Sequence, residues 1–382
     1  MAQLGRWSRH PPEPFLPWLE ALIHMQTGGI QVQEERVESA SGKSRLPITL
    51  LQVLLYIPIQ IVFLPFALIG LAVGIQRGFM RTRRLGVSFS ATQALQYRWI
   101  MHFFGTRPDP ISVAFIKKFP CESHFGLWSV FGALILSQRL FGFTTKLGKL
   151  PERGEETLTS TAGRRLLEFD RIVEESVEQV EQVEQIVLPG VGFDLIAQRF
   201  TEGRGVRVFE LDQVGTLAVK VKTLKKAGIA HDWIAYIPVD YSKDSWVERL
   251  LEAGFDRTKK TLFLWQSVSL FLEAAVVKET LTQMAELCSK GSTIAQDFYS
   301  NAFASGATSR TVRRTSNLMG KMGEPWRFGI DMSGDPRAAT EAFLKECGLR
   351  TTGFYQFGER RDIEPFYCIV ESENAAGFPG ET

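Results

Sequence analysis

Hydrophobic and polar positions divide the chain into three regimes. From Leu46 to Gln76 there are 31 residues without a charge, and the clearly polar side chains among them are Thr49, Gln52, Gln60 and Gln76. Such a run exceeds the ~20 residues that cross a bilayer as a helix. As one straight helix it would measure about 46 Å, too long for a hydrocarbon core of ~30 Å without strong tilt. Pro47 suits a helix start, whereas Pro58 and Pro65 fall mid-run, where each removes a helix hydrogen bond. Two arrangements follow. One is a single kinked span. The other is a re-entrant hairpin that rises through Leu46–Ile57, turns near Pro58–Pro65 and returns through Phe66–Gln76. Lys43 and Arg45 precede the run, and Arg77, Arg81, Arg83 and Arg84 follow it. Positive charge at both ends favours the hairpin, with both ends on the cytoplasmic side.

The second regime is basic and rich in Phe, Trp and Leu. Its spacing predicts helices over Ala91–Phe104, Ile111–Phe119 and Ser129–Phe141. In the third regime short apolar runs alternate with amphipathic stretches. After the amphipathic Ala162–Gln185, Gln185–Pro189 reads as a strand that runs into Gly190-Val191-Gly192 and a short helix, Leu195–Phe200. Further strands are expected at Val206–Leu211, Trp233–Val239, Thr261–Trp265 and Ser292–Phe298. Helices are expected between them at Val214–Ala227, Ser245–Ala253 and Ala275–Ser289. Strands separated by helices predict an α/β fold with a mainly parallel sheet, and ligands then sit at the carboxyl ends of the strands. Gly190, Gly192, Asp212, Asp240 and Gln266 all fall at such ends. The expected organisation is a polar, partly amphipathic segment 1–44, a membrane segment 45–80, a helical lid 81–160, a cofactor domain 161–372 and a tail 373–382.

Composition sharpens this picture. The formal net charge is +2, but residues 1–150 carry 16 Lys+Arg against 7 Asp+Glu, a net of +9, leaving −7 for the remainder. A near-neutral total argues against a general nucleic-acid binder. The four cysteines, Cys121, Cys288, Cys347 and Cys368, form no CxxC pair, and the five histidines are dispersed, so no metal role is assigned.

The Gly-x-Gly turn supplies backbone that a ligand can approach closely, at the start of a helix. Leu195 stands where GxGxxG requires its third glycine, which disfavours a dinucleotide. Glu210 and Asp212 follow Gly190 by 20 and 22 residues, the place from which an acidic residue accepts ribose hydroxyl protons.

At these residues the sequence resembles the leucine carboxyl methyltransferase family, including its polyketide O-methyltransferase-like branch. The family's LGAGLDTRAYR corresponds to Pro189–Arg199, PGVGFDLIAQR; its VFEVDQP to Val208–Val214, VFELDQV; its RTRxID to Arg165–Asp170, RLLEFD. Its GEPW is present as Gly323-Glu324-Pro325-Trp326. The resemblance implies a Rossmann-like class I methyltransferase sheet flanked by helices, here with an N-terminal helical, membrane-associated extension, and S-adenosylmethionine as cofactor. It implies that Arg165 holds the methionine carboxylate, that Gly190, Gly192 and Asp194 form the loop against the cofactor, and that Asp212, with Glu210, binds the ribose. Asp240 and Tyr241 would bracket the adenine. Gln266 occupies the place of the family's Glu in EGxxxY, Phe271 replaces its tyrosine, and the arginine of DTR is Ile196. Phe271, Tyr299 and Trp326 are candidates for the substrate pocket, and no catalytic residue is assigned. The expected activity is methyl transfer to oxygen, a carboxylate or a hydroxyl, of a hydrophobic or amphiphilic small molecule, with membrane lipid as a partner and the catalytic domain facing the cytosol. The alternative is a catalytically impaired, membrane-tethered scaffold of the same fold.

Overall fold

The computed structural model describes residues 48–376 apart from 146–147, 180–181, 242 and 362. The expected segment 1–44 and residues 377–382 of the expected tail lie outside the described residues. The apolar run forms one unbroken helix of 28 residues, α1 (Ile48–Ile75), passing through both Pro58 and Pro65. It continues through a π-helical turn (Gln76–Arg81) into α2 (Thr82–Leu85), which ends on Gly86 at φ 63°. The turn that the hairpin requires near Pro58–Pro65 is not formed.

Packing explains why the prolines do not break the helix. Three helices follow: α3 (Ser90–Phe104), α4 (Pro110–Lys118) and α5 (His124–Phe141). Asp109 caps α4 by accepting from the Ser112 amide, and Ser123 caps α5 by accepting from Gly126. α1 runs antiparallel along α5 for nearly its whole length. At one end Gln52 donates to the Phe141 carbonyl at 2.9 Å, and Tyr56 stacks on Phe143. In the middle the Phe63 ring lies over Gly132, and at the other end Gly70 meets Gly126 and Ser129. Pro58 and Pro65 fall on the opposite, outward side, where both are exposed. Close contact on one side thus holds the helix unbroken through two missing hydrogen bonds on the other.

The amphipathic stretch after residue 160 gives α6 (Thr161–Glu178). The alternation then follows in order: β1 (Gln185–Pro189), α7 (Ile196–Phe200), β2 (Arg207–Asp212), α8 (Val214–Ala227), β3 (Ile234–Pro238), α9 (Trp246–Glu252), β4 (Thr261–Trp265), α10 (Ala274–Leu287) and β5 (Thr293–Tyr299). The chain closes with α11 (Asn301–Ala304), α12 (Arg310–Lys321), α13 (Pro336–Glu346), β6 (Leu349–Gln356) and β7 (Tyr367–Asn374). The seven strands lie in the order β3-β2-β1-β4-β5-β7-β6. The first five are parallel, as the alternation predicts, and β7 runs antiparallel to both β5 and β6. Each face of the sheet carries its own apolar cluster. A third cluster, around Trp99, Phe115 and Phe131, takes in Phe193 and Leu195 of the glycine loop and Leu224 of α8. The helical layer and the loop therefore share a core.

Gly132→Leu tests the seating of α1. A Cβ there would already stand 2.7 Å from the Phe63 ring. The substitution should cost about 1–3 kcal/mol, measured by thermal unfolding in detergent; an unchanged midpoint would show that α1 does not rest on α5.

Candidate active site

β1 is buried along all five residues, so the chain can turn only at its end. Gly190 (φ 73°) and Gly192 (φ 57°) both take the left-handed conformation that glycine adopts without steric cost. Strand register sets what meets them. Pro189 lies opposite Leu211, so Asp212 comes beside the turn. The Gly190 amide donates to the Leu211 carbonyl at 2.8 Å, and the Gly192 amide donates to Asp212 Oδ2 at 2.7 Å. The Gln213 amide donates to Asp212 Oδ1 at 2.7 Å. Desolvation raises the Asp212 carboxyl above its ordinary range, opposed in part by these two amides. The Tyr241 hydroxyl is buried close to the Gly190 backbone without a well-formed hydrogen bond, and its pKa is raised by burial and by the Asp212 charge. Gly190, Gly192, Asp212 and Tyr241 thus meet at one rim.

The other acidic candidates sit differently. Glu210 lies fully buried within β2, its carboxylate 2.7 Å from Lys220 Nζ, one step deeper on the same face as Asp212. Asp240 stands beyond the end of β3 and pairs with the exposed Lys243 at 2.9 Å. Asp194 faces inward. Its oxygens accept from Arg98 Nη2 at 3.0 and 3.2 Å and from the Ile196 amide, while its carbonyl accepts from Lys220. Burial alone would raise the Asp194 carboxyl, but Arg98, Lys220 and Arg199 outweigh it and hold it below its ordinary range.

Arg98 is the largest departure from what the motifs suggest. The loop lacks the arginine of DTR, and a guanidinium from α3 pairs with Asp194 instead. Arg98 also pairs with Asp170 at 3.1 Å, and Arg199 pairs with Asp170 at 2.8 Å and with Asp109 at 3.4 Å. One buried charge cluster so joins α3, the cap of α4, α6, the glycine loop and α7. Spacing gives no signal for it, since Arg98 and Asp194 lie 96 residues apart.

Arg165 is half-buried on α6. Its Nη1 donates to the Tyr299 hydroxyl at 3.3 Å, and its Nε has no partner. Burial disfavours its charge, but Tyr299, Tyr367, Asp297 and Asp194 outweigh that and hold it protonated. Tyr299 stacks on Phe303, and Phe303 stacks on Trp326. Trp326 and Phe271 both pack against Phe89, Met319 and Met322. The three pocket candidates therefore meet in one aromatic wall.

Gln266 follows β4 directly, and beside it Ser267 takes φ 56° where the EGxxxY pattern has glycine. Asp297 holds this strained residue: it accepts from the Ser267 amide at 2.7 Å, from the Ser267 hydroxyl at 3.0 Å and from the Tyr367 hydroxyl at 2.5 Å. An aspartate inside the apolar run TIAQDFY was the signal available for it. Glu324 of GEPW acts at long range. Its two oxygens accept from the amides of Phe89 and Ser90 at 2.7 and 3.0 Å, capping α3. This cap seats α3 against the loop, and a Cβ on Gly192 would meet the Ala91 methyl at 2.9 Å; on the other side Val268, beyond β4, would meet a Cβ on Gly190 at 2.7 Å.

Residues 135–285 match the family model of the leucine carboxyl methyltransferases. Similar curated proteins include one from Mycobacterium ulcerans (strain Agy99), 29% identical over 178 residues that cover 46% of this chain and 55% of that protein. Another, from Mycobacterium sp. (strain JLS), is 31% identical over 177 residues, covering 44% and 55%. Both carry the name "Putative S-adenosyl-L-methionine-dependent methyltransferase". The chain spans about half the length of the curated relatives it matches. Among solved structures, a mitomycin 7-O-methyltransferase aligns with a TM-score of 0.38 at 16% identity over 56% of each chain. A DUF574 family protein from Streptomyces avermitilis aligns with a TM-score of 0.40 at 15% identity, over 56% of this chain and 84% of the other.

Arg98→Met should destabilise the protein by about 3–5 kcal/mol, because it leaves buried carboxylates without their partner. Arg98→Lys should recover part of the loss. Urea unfolding reads both; equal stability of all three proteins would show that the cluster bears no load.

Proposed function

We propose that the chain is an S-adenosylmethionine-dependent methyltransferase that methylates an oxygen, in the first instance a carboxylate, of a hydrophobic or amphiphilic small molecule at a membrane surface. The observation that carries this reading is the glycine turn braced by Asp212, lying within the segment that matches the leucine carboxyl methyltransferases. The residues present suit the cofactor. Gly190 and Gly192 offer backbone without side chains, and Asp212 keeps unused lone pairs for ribose hydroxyls. Two buried polar atoms without partners, Arg165 Nε and Tyr241 Oη, lie on the methionine side and the adenine side that the resemblance implies. In this reading Asp240 would stand at the adenine edge, Gln266 would face the amino group, Asp194 fixes the loop, and Glu210 holds Lys220, whose charge favours the ionised form of Asp212. Ala91 and Val268 pack so closely on the two glycines that neither position has room for a side chain.

When bound, the cofactor supplies a methyl group on a positively charged sulfur. The protein's share is alignment and exclusion of water. A carboxylate substrate is already ionised at pH 7 and needs no general base, which is consistent with Gln266 and Phe271 in place of Glu and Tyr. The wall of Phe271, Tyr299 and Trp326 would hold the apolar body of the substrate. Membrane placement is supported by α1, which is long and apolar enough to cross a bilayer. The arginines after it favour a cytosolic position for the sheet.

Binding of S-adenosylhomocysteine by isothermal titration tests the reading. Asp212→Asn should weaken it about 10- to 100-fold. Wild-type affinity should fall as pH is lowered through the raised pKa of Asp212, because protonation removes the charged acceptor, and the Asn variant should lack that dependence. No binding by the wild type would sink the methyltransferase reading and leave the scaffold of the same fold.

A further inference from the structure

The polarity of α1 is reversed relative to a helix on a water-soluble protein. Its polar side chains Gln52, Tyr56 and Gln60 are on the side turned toward the protein. Its outward side shows Leu50, Leu51, Leu54, Leu55, Ile57 and Ile61, and continues through Ile69 with no polar residue exposed. That face is about 29 Å long. Exposed Phe125 and Leu140 of α5 extend it. Water does not favour such a surface, and a patch of this length marks a contact with something apolar.

The attachment of α1 limits how it meets that partner. Its inner side is fixed to α5 from Gln52 to Gly70. α5 is in turn tied to α3 at both ends: Trp99 donates to His124 at 3.0 Å, and Gln138 donates to the Phe104 carbonyl at 3.2 Å. One helix further in lies the buried charge cluster of Arg98, Asp170 and Asp194. A bilayer crossed by α1 would have to admit that polar body along the whole length of the helix, which its hydrocarbon core does not tolerate. A bilayer lying against the outward face meets apolar side chains alone.

Charge selects the lipid. At the carboxyl end of the face, exposed Met80 and Leu85 interleave with exposed Arg81 and Arg84. Arg77 and Arg81 donate to the backbone carbonyls of Glu122 and Pro120, which leave their charge in place. Basic residues at the margin of an apolar face attract anionic headgroups.

We propose that α1 lies in the plane of the membrane, its outward face immersed in one leaflet, and that docking requires anionic lipid held by the arginines at its carboxyl end. This rests on the membrane placement in the proposed function but not on methyl transfer, because vesicle binding needs neither cofactor nor substrate.

Two measurements on the full chain test it. In vesicle flotation, phosphatidylcholine containing phosphatidylglycerol should bind the protein and phosphatidylcholine alone should bind it poorly. Arg81→Gln with Arg84→Gln should weaken anionic binding about thirtyfold. Equal binding to both vesicles, or a discrete dimer with no vesicle binding, would overturn the proposal. For depth, Leu51→Cys, Ile61→Cys and Leu68→Cys carry a fluorophore singly; the native cysteines are all buried and do not compete. Quenching by spin-labelled lipids should place all three at one shallow depth. A span would put Ile61 near the midplane, about 10–15 Å deeper than the other two, and that result would refute the in-plane helix even if S-adenosylhomocysteine binds as expected.

Discussion

Arg98 holds the carboxylates of Asp170 and Asp194 on one guanidinium, and through them the helical layer, the helix before the sheet and the glycine turn meet at a single buried point. Taking these charges out of water is costly, and their mutual attraction recovers the cost only because each is multiply paired. Arg199 adds to Asp170 and Asp109, and Lys220 anchors the Asp194 carbonyl. The gain is in placement. Apolar packing between Phe119 and Phe193 brings the layer near the loop but tolerates sliding, whereas paired charges fix the register. The position of α3 over the glycines, and of α1 and α5 beyond it, follows from that register.

Much of the cofactor domain is legible in the sequence because parallel strands buried on both faces read as short apolar runs. Thr261–Trp265 and Val214–Ala227 fall where the pattern puts them. β6 leaves no such mark: it is the antiparallel edge strand, and Leu349–Gln356 carries polar Thr and Gln side chains and offers no apolar run. The expected hairpin failed for a different reason. Pro58 and Pro65 weaken a helix locally, but the small residues Gly70, Gly126 and Gly132 that let α1 and α5 approach are spread across two distant segments. Tertiary contact decided the outcome, and local propensity could not report it.

The site shows the same division. Gly190, Gly192 and Asp212 meet because strand register requires it, and strand register is written in local sequence. Arg98, Asp297 and Glu324 act on Asp194, Ser267 and Phe89 across many tens of residues or between neighbouring strands, and spacing along the chain carries no trace of those pairings. The charge imbalance between the two parts of the chain gains a partial physical meaning: arginines of the front part gather at the end of the apolar face and in the buried cluster, where aspartates from the back part meet them.

The cap on α3 has a temporal consequence. The amides of Phe89 and Ser90 find their acceptor in Glu324, more than 230 residues later in the chain. During synthesis the five parallel strands, the glycine turn and Asp212 have all emerged before that acceptor exists. The first turn of α3 therefore gains its cap only after the glycine turn has emerged, whereas the aspartates that pair with Arg98 are already present to seat the rest of the helix. β6 and β7 follow Glu324 in the chain, so the cap on α3 precedes the antiparallel edge of the sheet in order of emergence.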